Sequence, residues 1–193
     1  MIKIPRPEPE ITIQNVVASA SLNQRIDLNA VVDAFKDVEY NPKEFPGLVF
    51  RLKKPRTALL IFSSGKMVCT GAKSEKAAIR AIKTVVKKLK KAGIVIRRKP
   101  EIKIQNIVAS GDLHGEIDLE RAQVELENTM YEPEQFPGLI YRMSDPKVVI
   151  LLFASGKLVC TGGKSEEQVH EAVKKLHAIL EEKELIYYPE ETA

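Results

Sequence analysis

One long internal repeat dominates the chain, because each position has a counterpart 91 residues later without a gap. Residues 61–75, IFSSGKMVCTGAKSE, return as LFASGKLVCTGGKSE at 152–166. Between residues 9–93 and 100–184, 36 of the 85 aligned pairs are identical. Solenoids stack three or more short repeats, whereas two long copies are typical of a duplicated half-domain. The repeat therefore predicts two halves with the same architecture.

The two halves are predicted to be residues 1–98 and 99–193, each with the element order β-α-β-β-β-α-β. Runs of β-branched residues between Gly and Pro predict strands, and an apolar stripe of helical period predicts the long helix. Asp27 and Ser74 are predicted helix N-caps. In the first half we predict strands over 11–19, 48–53, 57–62, 67–71 and 94–98, and helices over 27–38 and 74–93. This order predicts an α+β fold, an antiparallel sheet covered by helices on one side.

The strands around the SGK turns are apolar on both faces of the predicted sheet. Successive strand residues point to opposite faces, so one set packs under the helices and the other stays open. The predicted open face contains Asn15, Val17, Leu60, Phe62, Val68 and Thr70, and in the second copy Asn106, Val108, Leu151, Phe153, Val159 and Thr161. An exposed apolar face of this size marks a binding surface. The alternatives are a second covering layer or a homodimer through this face.

The two halves have opposite net charges, but a few aligned positions are basic in both. Residues 1–98 contain 20 basic and 8 acidic residues, a net of +12, and residues 99–193 have a net of −8. Many aligned positions reverse sign, but four pairs around the strand–turn–strand segment stay basic. This predicted basic rim is Arg51/Arg142, Arg56/Lys147, Lys66/Lys157 and Lys73/Lys164. Basic side chains around an apolar face favour a narrow polyanion, so the sequence predicts DNA as the ligand.

Several classes of function have little support in the sequence. The two cysteines, Cys69 and Cys160, provide neither a disulfide framework nor a four-ligand zinc site. No catalytic Ser/His/Asp set, carboxylate pair or metal-ligand spacing recurs on the open face, so we expect no enzyme, metal or cofactor. The N-terminus lacks the apolar core of a signal peptide, and apolar runs are too short to span a membrane. We therefore expect an intracellular protein.

The motifs together resemble one family, the TATA-box-binding proteins, which are general transcription initiation factors. The resemblance runs from Glu10 to Tyr188 and rests on the repeat and on QNIVAS, QFPGLIYR and F-x-SGK-x-V-C-T-G. A short N-terminal segment and a short acidic end are similar to the archaeal form. The family fold implies a pseudo-two-fold saddle, in which both repeats form one curved antiparallel sheet with helices on the convex side.

The resemblance also implies a role for each group of residues. The minor-groove contacts would be Asn15, Val17, Leu60, Val68, Thr70, Asn106, Val108, Leu151, Val159 and Thr161. The wedges that unstack base steps and bend the DNA would be Phe45, Phe62, Phe136 and Phe153, with Phe45 paired to Phe62 and Phe136 to Phe153. The phosphate contacts would be the basic rim together with Ser64 and Ser155.

Partners are implied in the same way. Glu132, Glu134 and Gln135, in a turn whose first-copy equivalent has different charges, would bind the B-type initiation factor, which recruits RNA polymerase. We expect the protein in the cytoplasm with the nucleoid, or in the nucleus of a eukaryote, and possible homodimerisation when free of DNA. The alternative function is a protein-interaction scaffold that uses the apolar face.

Overall fold

The structure is a computed structural model that describes residues 7–189, and it divides into two compact units. The first unit is Gln14–Asn106. Its elements are β1 (Glu10–Ser21, from residue 14 onward), α1 (Leu28–Ala34), β2 (Leu48–Lys53), β3 (Arg56–Ile61), β4 (Lys66–Ala72) and α2 (Glu75–Lys91). Its strands lie in the order β2-β3-β4-β1, and each neighbouring pair is antiparallel.

The second unit contains residues 107–189 together with residues 7–13. Its elements are β5 (Glu101–Asp112, from residue 107 onward), β6 (Glu116–Ile117), α3 (Leu119–Glu125), β7 (Thr129–Met130), β8 (Leu139–Ser144), β9 (Lys147–Leu152), β10 (Lys157–Gly163), α4 (Glu166–Glu182) and β11 (Ile186–Tyr187). Its main sheet has the antiparallel order β5-β10-β9-β8-β7, and β11 pairs with β6 in a separate two-stranded sheet.

The long helices form the core of each unit by packing on the sheet. α2 lies on β4 and β3, and its residues Ala78, Ile82, Val85 and Leu89 are fully buried. α4 lies on β10 in the same way. The predicted α+β class, with helices on one face of an antiparallel sheet, is therefore confirmed.

The predicted N-caps are also confirmed. The Asp27 carboxylate accepts from the backbone N–H groups of Asn29 and Ala30, and the Ser74 hydroxyl accepts from that of Ala77. The predicted end of α1 is wrong, because the helix stops at Ala34 instead of residue 38. Phe35 has an extended backbone, and its ring packs edge-on against Phe50 at 5.0 Å. The helix therefore ends where the half-buried Phe35 turns into an extended conformation and contacts Phe50.

The strand predicted over residues 94–98 is wrong, because this segment has no neighbouring strand. Instead, the side chain of Gln24 makes hydrogen bonds to the backbone of this segment. The Gln24 amide donates to the Val95 carbonyl at 2.7 Å and accepts from Arg97 N–H at 2.8 Å. One side-chain amide thus makes the two hydrogen bonds that a strand would provide.

In the second copy, the backbone of the equivalent segment makes its hydrogen bonds by pairing with another strand. The position equivalent to Gln24 is Gly115, beside the two-residue strand β6 that pairs with β11. A Cβ on Gly115 would lie 2.7 Å from the side chain of Ile186, so only glycine lets β11 approach this closely. The two copies thus hold this segment differently, through the Gln24 side chain in the first and through the pairing of β11 with β6 in the second.

The buried faces of the sheet include both cysteines. Burial raises the pKa of Cys69 and of Cys160 to about 11 each, so both thiols are protonated at neutral pH. A protonated buried thiol behaves as a small apolar side chain and not as a nucleophile. Among the described residues, moreover, no helix combines the length and the apolar character that crossing a membrane would require.

Candidate nucleic-acid interface

Each unit presents one sheet face that the helices do not cover. Residues on this face alternate along every strand with fully buried ones: Leu60 is half-buried between Leu59 and Ile61, and Val68 between Met67 and Cys69. The second copy has the same pattern at Leu151 and Val159. The predicted division of strand residues between a core face and an open face is confirmed.

The strand register places the open-face residues in rows across each unit. In the first unit the row of directly opposed residues is Val49, Leu60, Val68 and Ser19. In the second unit the equivalent row is Ile140, Leu151, Val159 and Ser110. Val49 and Ile140 were missed in the sequence analysis, although the alternation in LVFRLK and LIYRMS is the signal that identifies them.

A β-bulge in β4 determines how Asn15 is oriented. The register between β1 and β4 shifts from Val16↔Ala72 to Ala18↔Cys69, so β4 has one extra residue there. Gly71 lies in the bulge with φ +95, a conformation that favours glycine. Its N–H donates to Asn15 Oδ1 at 2.7 Å, while Asn15 Nδ2 donates to the Thr70 hydroxyl at 3.2 Å.

These hydrogen bonds fix the polarity of the Asn15 amide. Because the carbonyl oxygen accepts from Gly71, the NH₂ group is the part of the side chain that remains for a ligand, and an amide NH₂ carries two donor hydrogens. The second unit has the same bulge between β10 and β5, with Gly162 at φ +97. The bulge glycines were not among the predicted site residues, but C-T-G in both copies was their signal.

Two phenylalanine pairs, one in each unit, stand at the Phe-Pro-Gly turns. The rings of Phe45 and Phe62 meet edge-on with centroids 6.0 Å apart, and those of Phe136 and Phe153 at 5.8 Å. The predicted pairing is confirmed. Phe45 and Phe136 are 43% and 37% exposed, unusual values for large apolar side chains.

The glycines of these turns make room for the rings. A Cβ on Gly47 would lie 2.7 Å from Phe45 Cε1 and 3.0 Å from Phe62 Cε1, and Gly138 is equally close to the rings of its own pair. Glycine is therefore required because there is no room for a Cβ, and not because of an unusual backbone angle.

The predicted basic rim is exposed, but the side chains of Arg51 and Lys73, among others, already have contacts within the protein. Arg51 forms an ion pair with Glu39 at 2.9 Å, and Lys73 Nζ donates to the Gln14 carbonyl at 2.7 Å. Each cation keeps further donor hydrogens for a ligand. In the turns, the Ser64 and Ser155 hydroxyls accept from the N–H two residues later, at 3.4 Å. Arg56, Lys66, Arg142, Lys147, Lys157 and Lys164 have exposed side chains.

The turns before the phenylalanine pairs have the same backbone and different charges. The carbonyl of Asn41 accepts from the N–H groups of Glu44 and Phe45, and that of Glu132 accepts from Gln135 and Phe136 in the same way. Glu132, Glu134 and Gln135 are exposed. The second turn therefore presents two carboxylates on a backbone where the first presents Asn41, Lys43 and Glu44.

A group that sequence analysis missed lies at one edge of the second unit. His114 Nε2 is 3.6 Å from the Glu10 carboxylate, and His114 Nδ1 is 3.8 Å from that of Asp112. Glu10 and Asp112 also line a groove with Phe153 and Lys157. Because Glu10 is about a hundred residues from the other two, no local spacing in the sequence could indicate this cluster.

We predict that Gly47→Ala separates Phe45 from Phe62, because the added methyl group occupies the space of both ring edges. The exposed Phe45 ring should swing into solvent, with a loss of stability of about 0.5–1.5 kcal/mol from the ring contact. Ring–ring nuclear Overhauser effects and the melting temperature measure the two consequences. Gly138→Ala is the matched control, because it should affect only the pair of Phe136 and Phe153. Intact ring contacts in Gly47→Ala would contradict this explanation of the glycine.

Comparisons with known proteins agree with this geometry. The family model described as "Transcription factor TFIID (or TATA-binding protein, TBP)" matches residues 10–92 and again residues 101–183, one match for each copy of the repeat. The TATA-box-binding protein of Pyrodictium occultum is 57% identical over 171 residues, which cover 89% of this chain and 86% of the relative. That of Pyrobaculum aerophilum is 55% identical over 182 residues, covering 94% and 92%.

A solved structure shares the fold as well as the sequence. The structure titled "Methanococcus jannaschii TBP" superposes with a TM-score of 0.81 at 53% identity, over 91% of this chain and 99% of that chain. The family match spans most of both copies, and the relatives are similar along nearly their whole length. The chain therefore belongs to the family of TATA-binding proteins.

Proposed function

We propose that this protein is a general transcription initiation factor that binds TATA-containing promoter DNA through the open faces of its two units. The observation that carries the proposal is the open face itself. Each unit has an apolar row of Val, Leu or Ile, a phenylalanine pair with one exposed ring and a basic rim, and the first unit has the oriented Asn15 amide. It acts with the chromosome, which places it at the nucleoid in the cytoplasm.

The chemistry of the face favours the minor groove at A·T pairs. There, A·T pairs offer only the acceptors A N3 and T O2, while G·C pairs add the guanine amino donor. Apolar side chains such as Val68 and Leu60 can pack against the smooth floor of the minor groove at A·T pairs. At G·C pairs, the guanine amino group would obstruct this packing. The Asn15 NH₂ group, oriented by Gly71, matches the acceptors of A·T pairs. We assign Asn106 of the second copy the same role by analogy.

The phenylalanine pairs are the proposed wedges for bending the DNA. Minor-groove proteins insert apolar side chains between base pairs and kink the duplex, and pyrimidine–purine steps such as TA are cheap to kink. Phe45 and Phe136 are already exposed in the free protein, so insertion uncovers no core residue. Each pair would unstack one base step.

The first experiment compares TATA and GC-rich duplexes of equal length by fluorescence anisotropy. We expect preference for TATA of about a thousandfold or more, with log affinity falling linearly with log salt. Lys66→Ala should flatten the salt slope by about one unit without changing the preference, because it removes one phosphate contact. Lys36→Ala, an exposed lysine outside the proposed site, is the control. Equal binding of both duplexes, or a DNA-insensitive dimer through the open face, would contradict the proposal.

A second prediction separates wedge phenylalanines from core phenylalanines. Phe62→Ala and Phe153→Ala should cost the free protein no more than about 1.5 kcal/mol, because each ring is half-buried and its edge-on contact is worth about that much. Both should weaken TATA binding and reduce the bend measured by fluorescence energy transfer.

The matched control for the wedges is Phe50→Ala, on the buried face of β2. Because its ring is only 5% exposed, truncation should cost about 3–5 kcal/mol of stability. A fall of that size for Phe62→Ala, together with normal bending, would make Phe62 a core residue.

We also propose that the acidic turn of the second copy binds the B-type initiation factor, which then recruits RNA polymerase. The support is that Glu132 and Glu134 are exposed, and that the equivalent turn of the first copy has the same backbone hydrogen bonds but different charges. Glu134→Lys should weaken the ternary complex and leave binary TATA binding nearly unchanged, as measured by mobility shift at moderate salt. Lys43→Glu, the equivalent exchange in the first copy, is the control, and unchanged ternary affinity in Glu134→Lys would exclude this turn.

A further inference from the structure

The exposed side of α2 presents a continuous row of cations. Opposite its buried stripe, the helix exposes a row that we name the cationic row: Lys76, Arg80, Lys83 and Lys87. These side chains line a shallow groove together with Ile79 and Thr84. At 1.5 Å per residue the row is about 16 Å long, roughly half a helical turn of B-DNA.

Helix stability explains the cations at one end of α2 but not those of the row. Lys88, Lys90 and Lys91 lie in the last turn, where cations complement the helix dipole. Lys76 is near the N-terminus, where a cation is unfavourable, and Lys76 with Arg80 forms a like-charged pair four residues apart. Ion pairs such as those of Arg51, Arg121, His114 and His177 lie elsewhere, and within residues 7–189 none neutralises the row.

The second copy demonstrates that this helix does not need the row in order to pack. At the positions of Lys76, Arg80 and Lys87, α4 has Glu167, Glu171 and Ala178, and only Lys83 has a basic equivalent, Lys174. α4 nevertheless has the same length, the same serine N-cap and the same buried stripe. The packing of this helix therefore does not depend on the positive charge of the row.

We propose that the cationic row is a second DNA-binding surface, which contacts the phosphate backbone of a duplex without reading its sequence. α2 packs on the helix-covered side of the sheet, so the row points away from the open face of its unit. A duplex on the row is therefore a different segment from the one on the open face. The protein can hold two duplex segments at once.

The composition of the row favours DNA over an acidic protein segment. Protein interfaces gain most of their affinity from a few buried aromatic or apolar anchors. Of the large apolar side chains that the described residues expose, none lies on α2. Contacts to phosphates need only lysine and arginine, which is what the row supplies.

The test is a second duplex added to the complex with the first. The open face is filled with one equivalent of unlabelled TATA duplex, so that no excess duplex competes for the row, and labelled GC-rich duplex is then titrated at low salt by fluorescence anisotropy. We expect the wild-type complex to bind it with a log–log salt slope of about −3 to −4, as for three or four phosphate contacts. Lys76→Glu with Arg80→Glu, the charges found in α4, should weaken this second binding at least tenfold.

The matched control makes the same change in net charge at residues outside the row. Arg25→Glu with Lys36→Glu alters two exposed residues of the same unit, again to the residues of the second copy, Glu116 and Glu127. This control should retain binding of the second duplex. Both double variants should retain TATA affinity within a few-fold at physiological salt, where distant charges are screened. Melting temperatures verify that both variants are folded.

A gain of function tests the same idea in the other unit. Glu167→Lys with Glu171→Arg, introduced into the Lys76→Glu, Arg80→Glu background, should restore binding of the second duplex from α4. The proposal is overturned if the wild-type complex binds no second duplex at low salt, or if the row variant and the control weaken it equally. It is also overturned if poly-L-glutamate binds the row but duplex DNA of equal charge does not. Because GC-rich DNA reports on α2 whatever the open face binds, failure here is distinguishable from failure of TATA recognition.

Discussion

The structure depends on a sheet with two apolar faces and helices on only one of them. In each unit, the long helix covers residues such as Leu59 and Cys69, and their neighbours Leu60 and Val68 remain without a covering layer. Leaving apolar surface open costs solubility, so a fold maintains it only where a ligand covers it. Exposed phenylalanines, the oriented amide and the basic rim all lie on or beside this uncovered face.

Glycine gives that face its fine geometry. Gly71 and Gly162 permit the bulges, and the freed N–H of Gly71 orients the Asn15 amide so that it presents a donor. Gly47 and Gly138 leave the space in which the phenylalanine rings meet. The orientation of the Asn15 amide and the position of the phenylalanine rings thus depend on glycines that have no side chain of their own.

Duplication followed by divergence of charge explains the remaining surface. The two copies keep one backbone, including the same turn hydrogen bonds before Phe45 and Phe136, and they keep the basic rim. Elsewhere their charges reverse, so that α2 is cationic where α4 is acidic. The open face of each unit therefore keeps the same basic rim, while the long helices of the two units differ in charge.

The sequence by itself determined the repeat, the α+β class, the helix N-caps and the open face, because these follow from local periodicity, from residue types at helix starts and from two copies that agree. The pairing of the phenylalanines was implied by the resemblance to a known family. Only the tertiary structure decided the end of α1 at Phe35, the replacement of a strand by Gln24, and the approach of Glu10 to His114. Each of these depends on residues distant in sequence competing for the same space or hydrogen bond. No local pattern records such a competition, and it is resolved only when the chain is packed.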